Sequence, residues 1–188
     1  SWSPERSKAF TDAKEALASA AMLTHLDENS HLILMTDASD IAVGAVLEQV
    51  DAKGTKPVAF FSKVLRKAER NYSTYDRELL AIFLAIRQFR FLLEGRQFGV
   101  LTDHKPLVSA LHKLADPISR RQQHHLSFIS EFTNDIRHIS GRDNLMADLL
   151  SRLVTVPDDL DHSPEGLELA QAVRIEEAAA VTVNEHSL

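Results

Sequence analysis

A mixed α/β domain is the fold class that this sequence predicts. Two short, strongly apolar runs, Leu32-Ile33-Leu34-Met35 and Phe98-Gly99-Val100-Leu101, have the length and composition of strands buried on both faces. Between them, residues 74–93 repeat apolar side chains at helical spacing. The order of strands, helix, strand, helices, strand and helix is that of a sheet packed against helices. At 188 residues the chain fits one domain with length to spare. About 150 residues bury enough apolar surface to fold without a disulfide or structural metal.

The elements follow in order. Residues 4–22 read as a helix, with Pro4 in its first turn and Ala9, Phe10, Ala13, Ala16, Leu17 and Ala20 at helical spacing. The apolar run at 32–35 ends in Thr36-Asp37, and residues 41–50 form a second strand. Asp51-Ala52-Lys53-Gly54 offers a turn, and residues 57–61 form a third strand, completing an antiparallel meander. Ser73-Thr74-Tyr75-Asp76 has the form of a capping box, and its helix runs to about Leu93 and stops near Gly95. Strand returns at 98–103, then a short helix at 106–112. Asp116-Pro117 supplies an N-cap and a first-turn proline for a longer helix reaching Phe132. Residues 135–139 alternate as a short strand, and residues 144–153 form a last helix. The predicted organisation is a connecting segment at 1–28, the folded domain at 29–153 and an acidic, disordered tail or linker at 154–188.

Composition narrows the function classes. Cysteine is absent, which excludes disulfides, cysteine-based zinc sites and cysteine nucleophiles. No apolar run approaches the roughly 20 residues needed to span a membrane, so no membrane partner is expected. The N-terminus lacks the build of a signal peptide and a starting Met, which predicts an intracellular protein and a piece of a longer chain. The net charge of −6 is uneven: residues 153–188 hold eight acids and one base, and the remainder has a net charge of +1. Charge alone does not suggest nucleic acid.

Four acids stand where solvated acids usually do not. Asp37 and Asp103 end the two most apolar strands, and ligand sites gather at strand ends in α/β sheets. Glu78 shares a helix face with Ile82, Ala85, Phe89 and Leu92, the stripe that packs on the sheet. Asp148 lies on the last helix beside Ala147, on one face with Leu145. Each acid alone has an ordinary reading: Asp37 caps a turn through Ser39, and Glu78 pairs with Arg77 or a distant arginine. Four together repel one another, a cost that bound cations remove. Hard oxygen ligands of this kind select magnesium or manganese.

The surrounding blocks carry a specific resemblance. Thr36-Asp37-Ala38-Ser39 followed by Gly44-Ala45-Val46-Leu47 and Gln49, then Phe61-Ser62-Lys63 and Tyr72-Ser73-Thr74-Tyr75-Asp76-Arg77-Glu78-Leu79-Leu80-Ala81, resemble the RNase H domain of Ty3/gypsy-type LTR retrotransposon reverse transcriptases. So do Leu101-Thr102-Asp103-His104-Lys105-Pro106-Leu107, His138-Ile139-Ser140-Gly141-Arg142-Asp143-Asn144 and Ala147-Asp148-Leu149-Leu150-Ser151-Arg152. The blocks run in one unbroken order over residues 8–153, which makes the match far more specific than a lone motif. Residues 2–17 resemble the end of the polymerase connection, with Ala21 departing from the proline usual there.

The resemblance implies an RNase H-like fold with a five-stranded mixed sheet flanked by helices. It implies that Asp37, Glu78, Asp103 and Asp148 are the catalytic residues and ligate two Mg2+ ions, for which Mn2+ can substitute. It also implies hydrolysis of the RNA strand of an RNA–DNA hybrid, leaving a 5′ phosphate and a 3′ hydroxyl. The partners are then the hybrid and the rest of a Pol polyprotein whose parent activity is RNA-directed DNA polymerase. No Tyr-x-Asp-Asp polymerase segment occurs in this chain. Its setting would be a cytoplasmic particle or the nucleus.

Other residues carry two readings. His138, ten residues before Asp148, either helps product leave or is a strand histidine that alternates outward. Lys105 either contacts a substrate phosphate or is solvated. Arg120 and Arg121, with His124 and His125, either track a phosphate backbone or form an ordinary solvated face. Ser39, Gly44, Asn71 and Asn144 suit recognition of 2′-hydroxyls and phosphates across a wide minor groove. Two rival functions remain: a catalytically inactive or domesticated RNase H-like binding module, which would usually lose carboxylates, and another nuclease or transferase of the same fold, such as an integrase core.

Overall fold

Alternation along one strand sets the architecture. In β1 (His31–Ala38), Leu32 and Leu34 enter a large core, while Met35 and the partly buried Ile33 enter a second, smaller one. A strand with apolar side chains on both faces must be covered on both faces. The computed structural model describes residues 30–109 and 119–152, together with Lys8, Asp12, Leu26 and Asp27. Among these, β2 (Ala42–Asp51), β3 (Gly54–Val64), β4 (Phe98–Thr102) and β5 (Ile136–His138) join β1 in one sheet of order β3-β2-β1-β4-β5. β1, β2 and β3 form the antiparallel meander, and β4 and β5 run parallel to β1. The sheet is therefore five-stranded and mixed.

The parallel β1–β4 pair requires a crossover. It is supplied by α1 (Lys67–Arg70), α2 (Thr74–Gln88) and α3 (Arg90–Leu93). α2 is buried without a break from Glu78 to Phe83 because the sheet lies on one side and α5 (Arg120–Phe132) on another. Ile82, Ala85 and Ile86 fill the large core with Leu79. Each large aliphatic side chain buried there stabilises the fold by about 1.5–3 kcal/mol. The Phe83 ring stacks on His125 at 4.3 Å and meets the edge of Phe128 at 5.0 Å, which fastens α5 to α2. α4 (Lys105–Val108) follows β4, and α6 (Leu145–Arg152) covers the opposite face of the sheet through Ala147 and Leu150.

Several boundaries differ from the sequence reading. The helix expected over residues 74–93 is two helices, divided at Phe89, whose backbone leaves helical geometry and whose ring packs in the core 6.3 Å from Phe61. Gly95, at φ 76°, ends α3 in the left-handed region that glycine adopts without cost. β3 extends beyond 57–61 at both ends, and Val58 is the extra residue of a bulge, since Leu47 faces Ala59 and Glu48 faces Pro57. A proline is tolerated at a bulge on an edge strand. The start expected for α5 at Asp116-Pro117 lies outside the described residues; among those described, Ser119 is its N-cap and forms a capping box with Gln122. Ser73 caps α2 by accepting from the Asp76 N–H, but the Asp76 carboxylate turns to Gln122 and Arg121 of α5. The helix expected over 4–22, where Lys8 and Asp12 form an i,i+4 ion pair at 3.4 Å, is otherwise outside the described residues. So are the end of the helix at 106–112 and the tail. No helix among the described residues is long and apolar enough to cross a membrane.

The crossing of α6 over β2 is made by Gly44. A Cβ at that position would stand 2.4 Å from the carbonyl oxygen of Ala147 and 2.6 Å from the amide nitrogen of Ser151. Both are backbone atoms, so no side-chain rotation relieves the clash. Gly44→Ala is expected to lower stability by about 1–3 kcal/mol, as overpacking does, read as the shift in midpoint of urea unfolding. An unchanged midpoint would mean that α6 can rise off the sheet at no cost.

Candidate metal centre

Parallel neighbours end at the same edge of a sheet. Asp37 is the penultimate residue of β1 and Asp103 follows β4 directly, so the two carboxylates emerge side by side. α2 crosses that edge with Glu78 in its second turn, facing inward. Asp37, Glu78 and Asp103 each present a carboxylate oxygen within 4.8 Å of the others. Asp37 and Glu78 are buried and Asp103 is more open.

Burial dominates the electrostatics. It pushes the Glu78 carboxyl up to about 8, and the charges of Asp37 and Asp103 push in the same direction, against weaker help from the Ala38 backbone and Arg77. Burial likewise raises Asp37 above the ordinary aspartate range; a hydrogen bond from Ser151 opposes this, and Asp103 and Asp148 add to it. Glu78 Oε2 is buried with no hydrogen-bond partner. An acceptor left in that state is costly unless a cation or proton satisfies it. Three mutually repelling hard oxygen donors and one orphaned oxygen fit a divalent cation of the magnesium or manganese type.

Asp148 is differently disposed. It lies outside the group of three, half exposed, and its Oδ1 accepts from Arg152 Nε at 2.5 Å. Its face of α6 is the outer one, shared with the exposed Leu145 and Leu149, while Ala147 points inward. Its charge nonetheless reaches Asp37.

Polar contacts hold α6 in register with the sheet. Asn144 Nδ2 donates to the Thr36 carbonyl at 2.9 Å, Ser62 Oγ to the Leu150 carbonyl at 2.7 Å, and Ser39 Oγ to the Ser151 carbonyl at 2.8 Å. Ser151, fully buried, donates its hydroxyl to the Asp37 carboxylate. This contact was not read from the sequence. Its only signal was a serine beside Leu150 on an otherwise amphipathic helix, three residues after Asp148.

The remaining sequence candidates divide. Asn144 is 1 % exposed and ties α6 to β1, so it is a structural link and not a surface contact. Gly44 is buried beneath α6 for the same reason. Ser39 caps its own turn, accepting from Ile41 and Ala42, as well as holding Ser151. Arg121 pairs with Asp76 at 3.2 Å and covers the Tyr72 ring at 3.8 Å. His125, taken with it as part of a basic patch, is buried, and burial pushes its imidazole down to about 4, leaving it neutral at pH 7. Asn71, Lys105 and Arg120 are exposed. His138 is exposed on β5 and pairs in register with Thr102, the residue before Asp103.

A five-stranded mixed sheet in this order, with acids at the ends of its central strands, defines an RNase H-like domain. Residues 2–100 match the family described as the RNase H-like domain found in reverse transcriptase. The chain belongs to this family, as the RNase H-like domain of a retrotransposon reverse transcriptase. It is 35 % identical over 179 residues to the Transposon Tf2-3 and Tf2-4 polyproteins of Schizosaccharomyces pombe, covering 93 % of this chain and 13 % of each relative. Among solved structures it is similar to the native prototype foamy virus protease-reverse transcriptase, with a TM-score of 0.58 at 20 % identity, over 74 % of this chain and 19 % of that one. It is also similar to a foamy viral protease-reverse transcriptase in complex with RNA/DNA hybrid, with a TM-score of 0.50 at 20 % identity, over 87 % of this chain and 21 % of that one. At such identities these likenesses speak for the fold.

The raised Glu78 pKa makes the metal-free protein sensitive to pH. Above the ordinary glutamate value of 4.5 the unfolded chain loses this proton while the folded one keeps it up to about 8. Stability is therefore greatest below 4.5 on account of this group and falls as pH rises through that window. Glu78→Gln is expected to flatten the fall, by on the order of a few kcal/mol between its ends. Denaturant midpoints in EDTA at a series of pH values check this. Parallel curves for the two proteins would refute the burial assignment.

Proposed function

We propose that this chain is the ribonuclease H domain of its parent reverse transcriptase and hydrolyses the RNA strand of RNA–DNA hybrids with two divalent cations. The observation that carries the reading is the convergence of Asp37, Glu78 and Asp103 from three separate elements, two of them buried. A purely structural role for such a cluster has little to offer, because like charges at this spacing destabilise the fold that holds them.

Asp37, Glu78 and Asp103 would hold the cations, with Asp148 joining them once its carboxylate leaves Arg152. Magnesium, or manganese in its stead, supplies an activated water and stabilisation of the leaving 3′ oxygen when bound. The protein supplies the rest. Ser151 fixes the direction of the Asp37 carboxylate. Burial of Glu78 keeps bulk water from competing for its oxygens. Exposed Asn71, Lys105 and Arg120 are available to contact the sugar-phosphate backbones of a docked hybrid. His138, at the open end of β5, would assist product departure. The chain spans 13 % of the Tf2 polyproteins it matches, so the RNA-directed DNA polymerase activity belongs to the proposed parent and not to this segment. The structure of a foamy viral protease-reverse transcriptase of similar fold in complex with RNA/DNA hybrid supports the same class of substrate.

Asp37→Asn is expected to cut hybrid cleavage in magnesium by at least about 10²–10³-fold, the usual loss when one group acting on transition-state charge is removed. The variant should melt no lower than wild type in EDTA. Cleavage at the wild-type rate would remove Asp37 from the reaction. Substrate choice is tested by initial rates on labelled hybrid, duplex DNA and free RNA at equal salt. Two or three protein groups left without their 2′-hydroxyl partners on duplex DNA, at about 1–3 kcal/mol each, should favour the hybrid by roughly a hundredfold or more. Equal cutting of duplex DNA would point instead to a general nuclease.

A further inference from the structure

A second charged feature lies further along α2. A cleft of about 410 Å³ opens between the end of β3, α1, α2 and the first turns of α5. It is lined by Lys63, Arg66, Arg87 and Arg121 against a single carboxylate, Glu69. Arg66 is 3.7 Å from Glu69, and Arg121 is paired with Asp76. Lys63 and Arg87 have no carboxylate at ion-pair distance among the described residues. Arg87 is nine residues beyond Glu78, about 14 Å along the helix at 1.5 Å per residue.

We propose that this cleft is a second nucleic-acid site, which holds the phosphate backbone of one strand of the duplex outside the carboxylate cluster. Two features favour phosphate over a base. Of the three phenyl or phenol rings lining the cleft, Phe61 is buried and packs on Phe89, the Arg121 guanidinium lies 3.8 Å from the Tyr72 ring centre, and that of Arg87 lies 5.5 Å from the Phe83 ring, which His125 also stacks. The rings are thus engaged within the protein, and the same contacts hold two planar guanidinium groups whose N–H edges suit phosphate oxygens. The cations also repel one another: burial disfavours the charged form of Lys63 most, Glu69 opposes this, and Arg66 and Arg87 add to it. An incoming anion relieves that repulsion. Because β3 is bonded to β2 at Ser62 and Gly44, and Gly44 faces Asp37, the cleft and the carboxylates belong to one rigid frame. A strand held in the cleft would fix register at the site and carry no sequence information. The inference rests on the reading of this chain as a hybrid-binding nuclease.

The test is binding of a fluorescent 20-base-pair RNA–DNA hybrid to the full chain in EDTA, followed by anisotropy over a series of salt concentrations. The Lys63→Glu/Arg87→Glu double variant should bind at least about tenfold more weakly near 0.1 M salt, with Lys63→Gln/Arg87→Gln between. Neutralising one or two phosphate contacts should make the slope of log Kd against log salt shallower by roughly 1–2. Thermal melting at the wild-type temperature shows that the variants fold; if the charge reversal does not, the glutamine pair carries the comparison. Wild-type affinity and slope in folded variants would overturn the cleft while leaving the carboxylate reading intact. Failure of wild type to bind hybrid at all would overturn both. Inorganic phosphate and a peptide of residues 153–188 are the competing probes. If either binds wild type and not the variant while hybrid binding is unchanged, the occupant is a free anion or the acidic segment and the proposal is wrong.

Discussion

Glu78 is 4 % exposed, beside two other acids, on a helix face that otherwise packs apolar side chains on a sheet. Holding a carboxylate there opposes folding, and the rest of the domain can be understood as what overcomes that opposition. The parallel pairing of β1 with β4 brings Asp37 and Asp103 to one edge, and it exists only because a long crossover carries the chain back across the sheet. The crossover helix is α2, the element that bears Glu78. Its burial between sheet and α5 supplies the apolar contacts that keep the acid in place. A deeply buried element thus carries a side chain that opposes its burial, and a bound cation would turn the local repulsion into attraction.

Much of this was legible in the sequence because apolar periodicity is a strong signal where burial is deep. The runs at 32–35 and 98–101 and the stripe through Ile82, Ala85 and Phe89 required buried strands and a packed helix, and the acids interrupting them were conspicuous for that reason. Asp148 shows how fine the reading must be on a short helix: it stands beside the buried Ala147 but about 100° of rotation away, on the outer face with Leu145. At the start of α5 an Asp-Pro pair and a Ser-x-x-Gln box are equally good signals in sequence, and the structure shows the second of them acting as a cap. Small polar residues were the least legible. Ser39, Asn144 and Gly44 suit substrate contacts when read locally, and nothing local shows what the structure adds, that each also joins β1 or β2 to a segment more than a hundred residues away.

That long-range join has an economy of its own. α6 has two turns and only a small apolar face, too little to fix its rotation on the sheet. The hydrogen bonds from Ser39, Ser62, Asn144 and Ser151 supply what the apolar face lacks, and each has a definite geometry where apolar contact has none. Gly44 sets the distance and the hydroxyls set the angle. The helix is therefore keyed to the same strand end that carries Asp37, and a small slip of α6 would be felt at that carboxylate.

The contacts between α6 and β1 span 108 to 114 residues of sequence, and this has a consequence in time. A growing chain presents Asp37 early, Glu78 and Asp103 next, and Ser151 with Asp148 last. At about 5–20 residues per second, the first strand waits roughly 5–20 s for the helix that orients its aspartate. Until the ribosome has passed residue 152 and released enough chain for α6 to dock, Asp37 lacks its buried hydroxyl partner. A nascent chain built in this order holds the three clustered acids well before it can give Asp37 its hydroxyl partner, so the orientation of that carboxylate is among the last features of the domain to form.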